Sequence, residues 1–226
     1  MKYLLILAFC ILTTTGFAQQ LDTVFLKPRD KEGHAIFIDP NPNSAYYARI
    51  ADTAYTRKDR EHKESIRRLK SFKVKANKPL RITDIPLNWC KLSLYKGKYY
   101  LYAPSDWSYT RVSLSDSIFI EMGMERMIYG TSSFSKTGEN SYKISTVADY
   151  NGSKSSIDIH VIDPEKGIAV FEYLKLANDP SGRYELMIDV NKIKQFPVIV
   201  NYTPQHKEIE FNFDSPDFGA LLKGIR

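Results

Sequence analysis

The chain has 226 residues, 32 Lys and Arg against 26 Asp and Glu for a net charge of +6, and 13% aromatic residues. That length allows one good-sized domain with a real core, and Tyr and Phe in such numbers favour pleated, half-buried surfaces. No segment reaches eighteen consecutive apolar residues, which excludes a membrane-spanning helix.

The chain opens on what reads as a secretory leader. Lys2 supplies a positive start, Tyr3 to Leu12 is an apolar run, and Gly16-Phe17-Ala18 places small residues where a signal peptidase cuts. Export to the periplasm or the exterior is therefore expected, with cleavage after Ala18 and a mature chain of 208 residues beginning at Gln19. Cys10 departs with the leader. Phe9 before it and more apolar residues after it argue against a lipid-attachment site. Cys90 is then the remaining thiol, so no intramolecular disulfide is expected, and a buried small hydrophobe is its simplest role.

After the leader, Thr23 to Leu26 and Ala35 to Ile38 have the composition of short strands, and Asp39-Pro40-Asn41-Pro42-Asn43 breaks the chain. Residues 44–72 read as helix. Ser44 is placed to cap it, no Pro or Gly interrupts, and Ile66, Leu69 and Phe72 recur along one side. The charged stretch Arg57 to Glu64 leaves open whether this is one helix or two.

From Leu80 onward the pattern is of short strands turned back by tight loops. Leu92–Tyr95 and Lys98–Tyr102 flank the two-residue turn Lys96-Gly97. Alternation runs through Ile118, Ile120 and Met122, through Tyr142, Ile144 and Thr146, and through Ile157, Ile159 and Val161. Asp163 to Gly167 and Asn178 to Gly182 are hairpin turns by composition. A last strand is expected on Ile209, Phe211 and Phe213, followed by a short helix through Leu221 and Leu222. The expected fold is mainly β: an antiparallel up-and-down meander over 80–226 closing into a barrel, preceded by an N-terminal segment over 19–79.

Leu87-Asn88-Trp89-Cys90-Lys91-Leu92 opens the meander, and a helix follows its last strand. In this the chain resembles the lipocalin-like (calycin) barrels. Their first strand carries Gly-x-Trp, where this chain has Leu87 in place of the glycine. The resemblance implies a cavity for a small apolar ligand at the barrel mouth and assigns no catalytic residue. The leader's Phe17-Ala18-Gln19-Gln20 ending resembles those of Bacteroidota secretory proteins. So do three Asp-Ser/Thr-apolar triplets, at Asp22, Asp52 and Asp116, which look like the O-glycosylation signal of that phylum.

Chemistry is sparse. His34, His62, His160 and His206 sit in no metal-binding motif, and there is no nucleophile elbow, P-loop or dinucleotide fingerprint. No cofactor is implied. On its strand His160 alternates with the apolar set and is expected to be exposed beside Asp158. Glu172 is a candidate in one of two registers: facing inward it would be a desolvated carboxylate, facing outward a solvated one. Glu121, Glu125, Glu172 and Glu185 are the carboxylates from which a hydrolase pair would be drawn.

Tyr55 to Lys78 holds ten Lys and Arg against three acids, whereas Leu80 to Arg226 is near neutral, with 17 against 18. A solvated helix face is its simplest reading, contact with an acidic envelope partner a second, and nucleic-acid binding is disfavoured by export.

These observations support an exported, non-enzymatic binding protein with a small apolar or glycan ligand in its barrel. The candidate contacts are Trp89, Tyr99, Tyr100, Tyr102 and Glu172. The alternatives are an envelope protein-binding module (inhibitor, immunity or assembly factor) and a hydrolase using inward carboxylates. A large empty lumen favours the ligand; a filled one favours the protein partner.

Overall fold

The computed structural model describes residues 23–72, 82, 84–105, 110–115, 117–174, 182–204 and 208–225. The leader, Cys10 and His206 lie outside them. In chain order the elements are β1 (Val24–Lys27), β2 (Ala35–Asp39), α1 (Ala45–Ala51), α2 (Arg60–Ser71), β3 (Asn88–Lys91), β4 (Ser93–Tyr95), β5 (Lys98–Ala103), β6 (Arg111–Leu114), β7 (Ile118–Met122), β8 (Arg126–Gly138), β9 (Ser141–Ala148), β10 (Lys154–Asp163), β11 (Ile168–Leu174), β12 (Arg183–Asp189), β13 (Val198–Tyr202) and α3 (Phe218–Leu222).

The fold is mainly β, built on an eight-stranded closed antiparallel barrel of β3 and β6 to β12. Each barrel strand pairs with the next, and β12 closes the ring on β3 with Ile188 opposite Cys90. Closure removes the exposed edges that an open meander of this size would leave. The β4–β5 hairpin leaves this ring. It joins a second sheet of order β1-β2-β13-β5-β4, in which β13 runs parallel to β5. Its turn is of the kind a two-residue hairpin requires, with Lys96 at φ 49° and Gly97 at φ 73°.

Alternation along the barrel strands sorts two faces. Trp89, Val112, Leu114, Phe119, Ile144, Ile157, Ile159, Ala169, Phe171, Tyr173 and Met187 form one core cluster, inside the barrel. Their neighbours Cys90, Ile168, Val170, Leu186 and Ile188 point outward. They pack with Leu101, Ala103, Val198 and Val200 of the second sheet and with Tyr47 and Ile50 of α1. Strands β11 and β12 are thus buried on both faces, which explains why they are apolar on both sides in sequence. The far face of the second sheet is covered by Ile209, Phe211 and Phe213. These three residues do not make the regular strand their alternation predicts: among the described residues the segment joins a ladder only through the Leu94–Asp214 bridge.

The helical stretch divides into α1 and α2, joined by a 3-10 turn at Ala54–Thr56. Ser44 occupies the N-cap position of α1, but its hydroxyl makes no capping bond. Asp59 does cap α2, accepting from the His62 N–H at 3.0 Å. Arginines on the barrel wall hold this linker by its backbone: Arg111 donates to the carbonyls of Arg49 and Asp52, and Arg126 to that of Tyr55. Arg126 also pairs with Asp59 at 2.8 Å and with Glu61, and Arg68 reaches Asp149 at 2.6 Å. Both ends of α2 are therefore fastened to the same rim of the barrel.

Candidate functional site

The lumen differs from end to end. At one end Ile82 and Ile85 reach into the core cluster, Trp89 donates its indole N–H to the Pro86 carbonyl at 2.7 Å, and the Tyr142 hydroxyl reaches the Asp84 carbonyl at 3.4 Å. Trp89 meets Phe171 edge to face at 5.3 Å, so the floor is sealed by packed rings.

At the other end the inward positions of β7 and β12 are charged. Arg183 pairs with Glu121 and lies 3.7 Å from Glu185, with its guanidinium 4.3 Å over the Tyr173 ring. Burial pushes the Glu185 carboxyl up, Arg183 opposes this, and Glu121 adds to it. Burial pulls the Arg183 guanidinium down, but the carboxylates of Glu185 and Glu121 outweigh that and hold it above its ordinary value. Tyr129 is pushed up to about 12, by burial first and Glu121 second. The group is thus an ionic plug in which one guanidinium serves two carboxylates.

Little space remains beneath this plug. The gap lined by Phe119, Glu121, Tyr129, Thr146, Ser155, Ile157 and Tyr173 amounts to about 170 Å³, counting what opens to solvent. Ordinary ligand pockets hold roughly 300–1,000 Å³. Thr146 and Ser155 at its edge are bonded to each other at 2.7 Å. Around this gap the described lumen side chains pack into one continuous cluster.

The candidate residues named from sequence do not converge. Trp89 is wholly buried in the floor. Tyr99, Tyr100 and Tyr102 lie on β5, in the second sheet rather than the barrel. There Tyr100 packs on Tyr95, and Tyr102 donates to Glu208 and accepts from Asn201 at 2.9 Å. Glu172 faces outward on β11, yet it is not a solvated carboxylate. Its side chain is 13% exposed, accepts from the Tyr184 hydroxyl at 2.7 Å and lies 3.6 Å from His160 Nε2.

His160 corrects the expectation of an exposed strand histidine: it is 6% exposed, with Nδ1 3.0 Å from the Ser141 hydroxyl. Ser141, His160, Glu172 and Tyr184 thereby form a polar chain across four strands, and Tyr184 stacks on Phe218 of α3 at 5.3 Å. The order serine–histidine–carboxylate is that of a nucleophilic triad. Ser141 is itself buried, though, so the hydroxyl is presented to the protein rather than to a substrate. The chain fastens α3 to the barrel wall. Cys90 is buried as expected, and burial pushes its thiol up to about 12, far from a reactive thiolate.

Sequence reasoning named Glu121 and Glu185 only among several carboxylates and passed over Arg183. The signal was the β12 alternation Arg183, Glu185, Met187, which needs the register of β11 before it can be assigned to a face. No helix among the described residues is long and apolar enough to cross a membrane, and no cluster of three metal-ligating side chains occurs among them. The closed eight-stranded barrel is compatible with a calycin-like fold. Comparison with family models, with curated proteins and with solved structures gives no match.

Proposed function

We propose that the protein is an exported, non-enzymatic binding module that engages another protein with its outer surface, the barrel serving as a rigid scaffold. The observation that supports this reading is the packing of the lumen among the described residues: an apolar floor of interlocked rings below and the Glu121–Arg183–Glu185 plug above. A small apolar ligand would have to displace several packed side chains, each contributing roughly 1.5–3 kcal/mol by burial. The hydrolase reading loses support for a related reason. Two inward carboxylates, Glu121 and Glu185, are both engaged by the one Arg183 guanidinium, which leaves neither free to act as a lone acid or nucleophile. Export follows from the leader, with Gln19 the first mature residue.

The test is a titration of the mature protein with a long-chain fatty acid and with an apolar naphthalene-sulfonate dye, followed by tryptophan and dye emission and by native mass spectrometry. The expected result is no saturable change and no retained adduct. A one-to-one complex that Ile159→Trp abolishes, with the fold intact, would restore the lumen as a ligand site and sink this reading. Mass analysis of the protein recovered from outside the cytoplasm should give a chain beginning at Gln19.

A further inference from the structure

We infer that the outward face of α2 is the contact surface, and that its partner is a protein presenting a row of carboxylates. The inference rests on the partner-binding reading above and supplies that partner's chemistry. Helix α2 buries His62, Ser65 and Leu69 against the barrel. Arg60, Lys63, Arg67 and Lys70 follow at i, i+3, i+7 and i+10, which places them within an arc of about 80° and along about 15 Å of axis. All four are exposed, Arg60 with 91% of its side chain in solvent.

Local pairing does not account for this row. The helix and its cap carry three acids, and each is already engaged. Arg126 of the barrel wall holds Asp59 and Glu61, while Glu64 takes Arg60 at 2.9 Å. Among the described residues the one other cation of α2 that finds an acid is Arg68, and it reaches away to Asp149. Lys63, Arg67 and Lys70 have no acidic partner within 4 Å among the described residues. They also stand at i, i+4 and i, i+3 from one another, where like charges destabilise a helix about as much as opposite charges support it. An acidic surface across from the row would convert the repulsion into attraction and speed encounter.

The apolar side of α2 distinguishes a protein from a lipid surface. A helix that inserts at a membrane keeps its apolar face free for the acyl boundary. Here Leu69 is 5% exposed and lies against the barrel, so the free face is basic and without aromatic residues.

The mature full-length protein would be titrated with poly-L-glutamate, and separately with vesicles of phosphatidylcholine containing about one third phosphatidylglycerol, at about 150 mM salt. Two variants of equal charge change would be compared: Lys63→Glu/Arg67→Glu/Lys70→Glu, and Lys31→Glu/Lys98→Glu/Lys223→Glu at exposed positions elsewhere. Far-ultraviolet circular dichroism verifies that both fold. The expected result is binding to poly-L-glutamate that falls at least tenfold in the α2 variant and less than twofold in the other, with weaker vesicle binding throughout. Equal losses in both variants, or tighter binding to vesicles than to polyglutamate, would overturn the inference. Neither outcome touches the packed lumen. Conversely, a ligand found in the barrel would defeat the broader reading while leaving the charge-reversal result standing.

Discussion

The two ends of the barrel are built from the same eight strands and closed by opposite chemistry. The floor is apolar: Trp89, Phe171, Ile82 and Ile85 fill it, and the polar atoms there, the Trp89 indole N–H and the Tyr142 hydroxyl, are satisfied by backbone carbonyls. The mouth is ionic, with Arg183 between Glu121 and Glu185 over the ring of Tyr173. An apolar floor gains from every atom it hides. An ionic plug gains only what its pairing exceeds its desolvation by, and breaking it is costly chiefly because a charge is stranded. The comparison teaches that a barrel can be filled at both ends and still have one end that responds to pH.

The largest expected effect is at the floor. Phe171→Ala removes the ring that meets Trp89 and leaves a cavity, which should cost about 3–5 kcal/mol in urea unfolding. A cost below about 1 kcal/mol would mean the floor is loosely packed. At the mouth, Arg183→Met strands two carboxylates, one of them 9% exposed. A loss of about 2 kcal/mol at pH 7 is expected, smaller than the limit for a fully buried pair because the arginine side chain is 39% exposed. That loss should shrink on acidification as the Glu185 carboxyl, already held above its ordinary value, takes up a proton; a loss independent of pH would refute the ionic account.

Glu185 sharpens the same contrast. Its folded-state carboxyl is held above its unfolded value, so the folded protein retains a proton that the unfolded chain has released. Stability therefore falls as pH rises through that interval, and the contribution is fully present only below the unfolded value. Glu185→Gln should be more stable than the parent at pH 7 and indistinguishable near pH 4, around the ordinary carboxylate value. Asp59 on the outer rim has the opposite sign. The Arg126 hydrogen bond, and after it the His62 N–H, hold its carboxyl below the ordinary value. Its contribution is fully present above the ordinary carboxylate value and is lost progressively as the pH falls below it. The smallest effect is on Cys90: a thiol reagent at pH 8 should label it no faster than global unfolding exposes it.

Much of this architecture was legible in the residues. Alternation at Tyr142–Ile144 and Ile157–Ile159 identified barrel strands, and Lys96-Gly97 identified its turn. What stayed hidden depended on register and on distant chain. Glu172 and Phe171 are adjacent on a strand apolar on both faces, so alternation gave no direction to either. The Tyr99 to Tyr102 hairpin has the same local pattern as a barrel hairpin, and only its pairing with β13 removes it from the ring. His160 looked exposed because its own strand places it beside Asp158. Its burial comes from Ser141, Glu172 and the stacked Tyr184–Phe218 pair near it, three of which lie on other strands and one on the final helix.

The second sheet also governs the order in which the chain can be assembled. β2 pairs with β13, with Ile38 opposite Ile199, a separation of about 160 residues. The first strands made thus lack their main partner until almost the last has emerged. Such non-local pairing has to pay the entropy of closing a very long loop before any contact rewards it, so folding should be slow and late. For the exported chain proposed here that delay is useful. A polypeptide whose N-terminal strands cannot complete their sheet remains threadable while it crosses a membrane, and the scaffold locks once its C-terminal strand arrives.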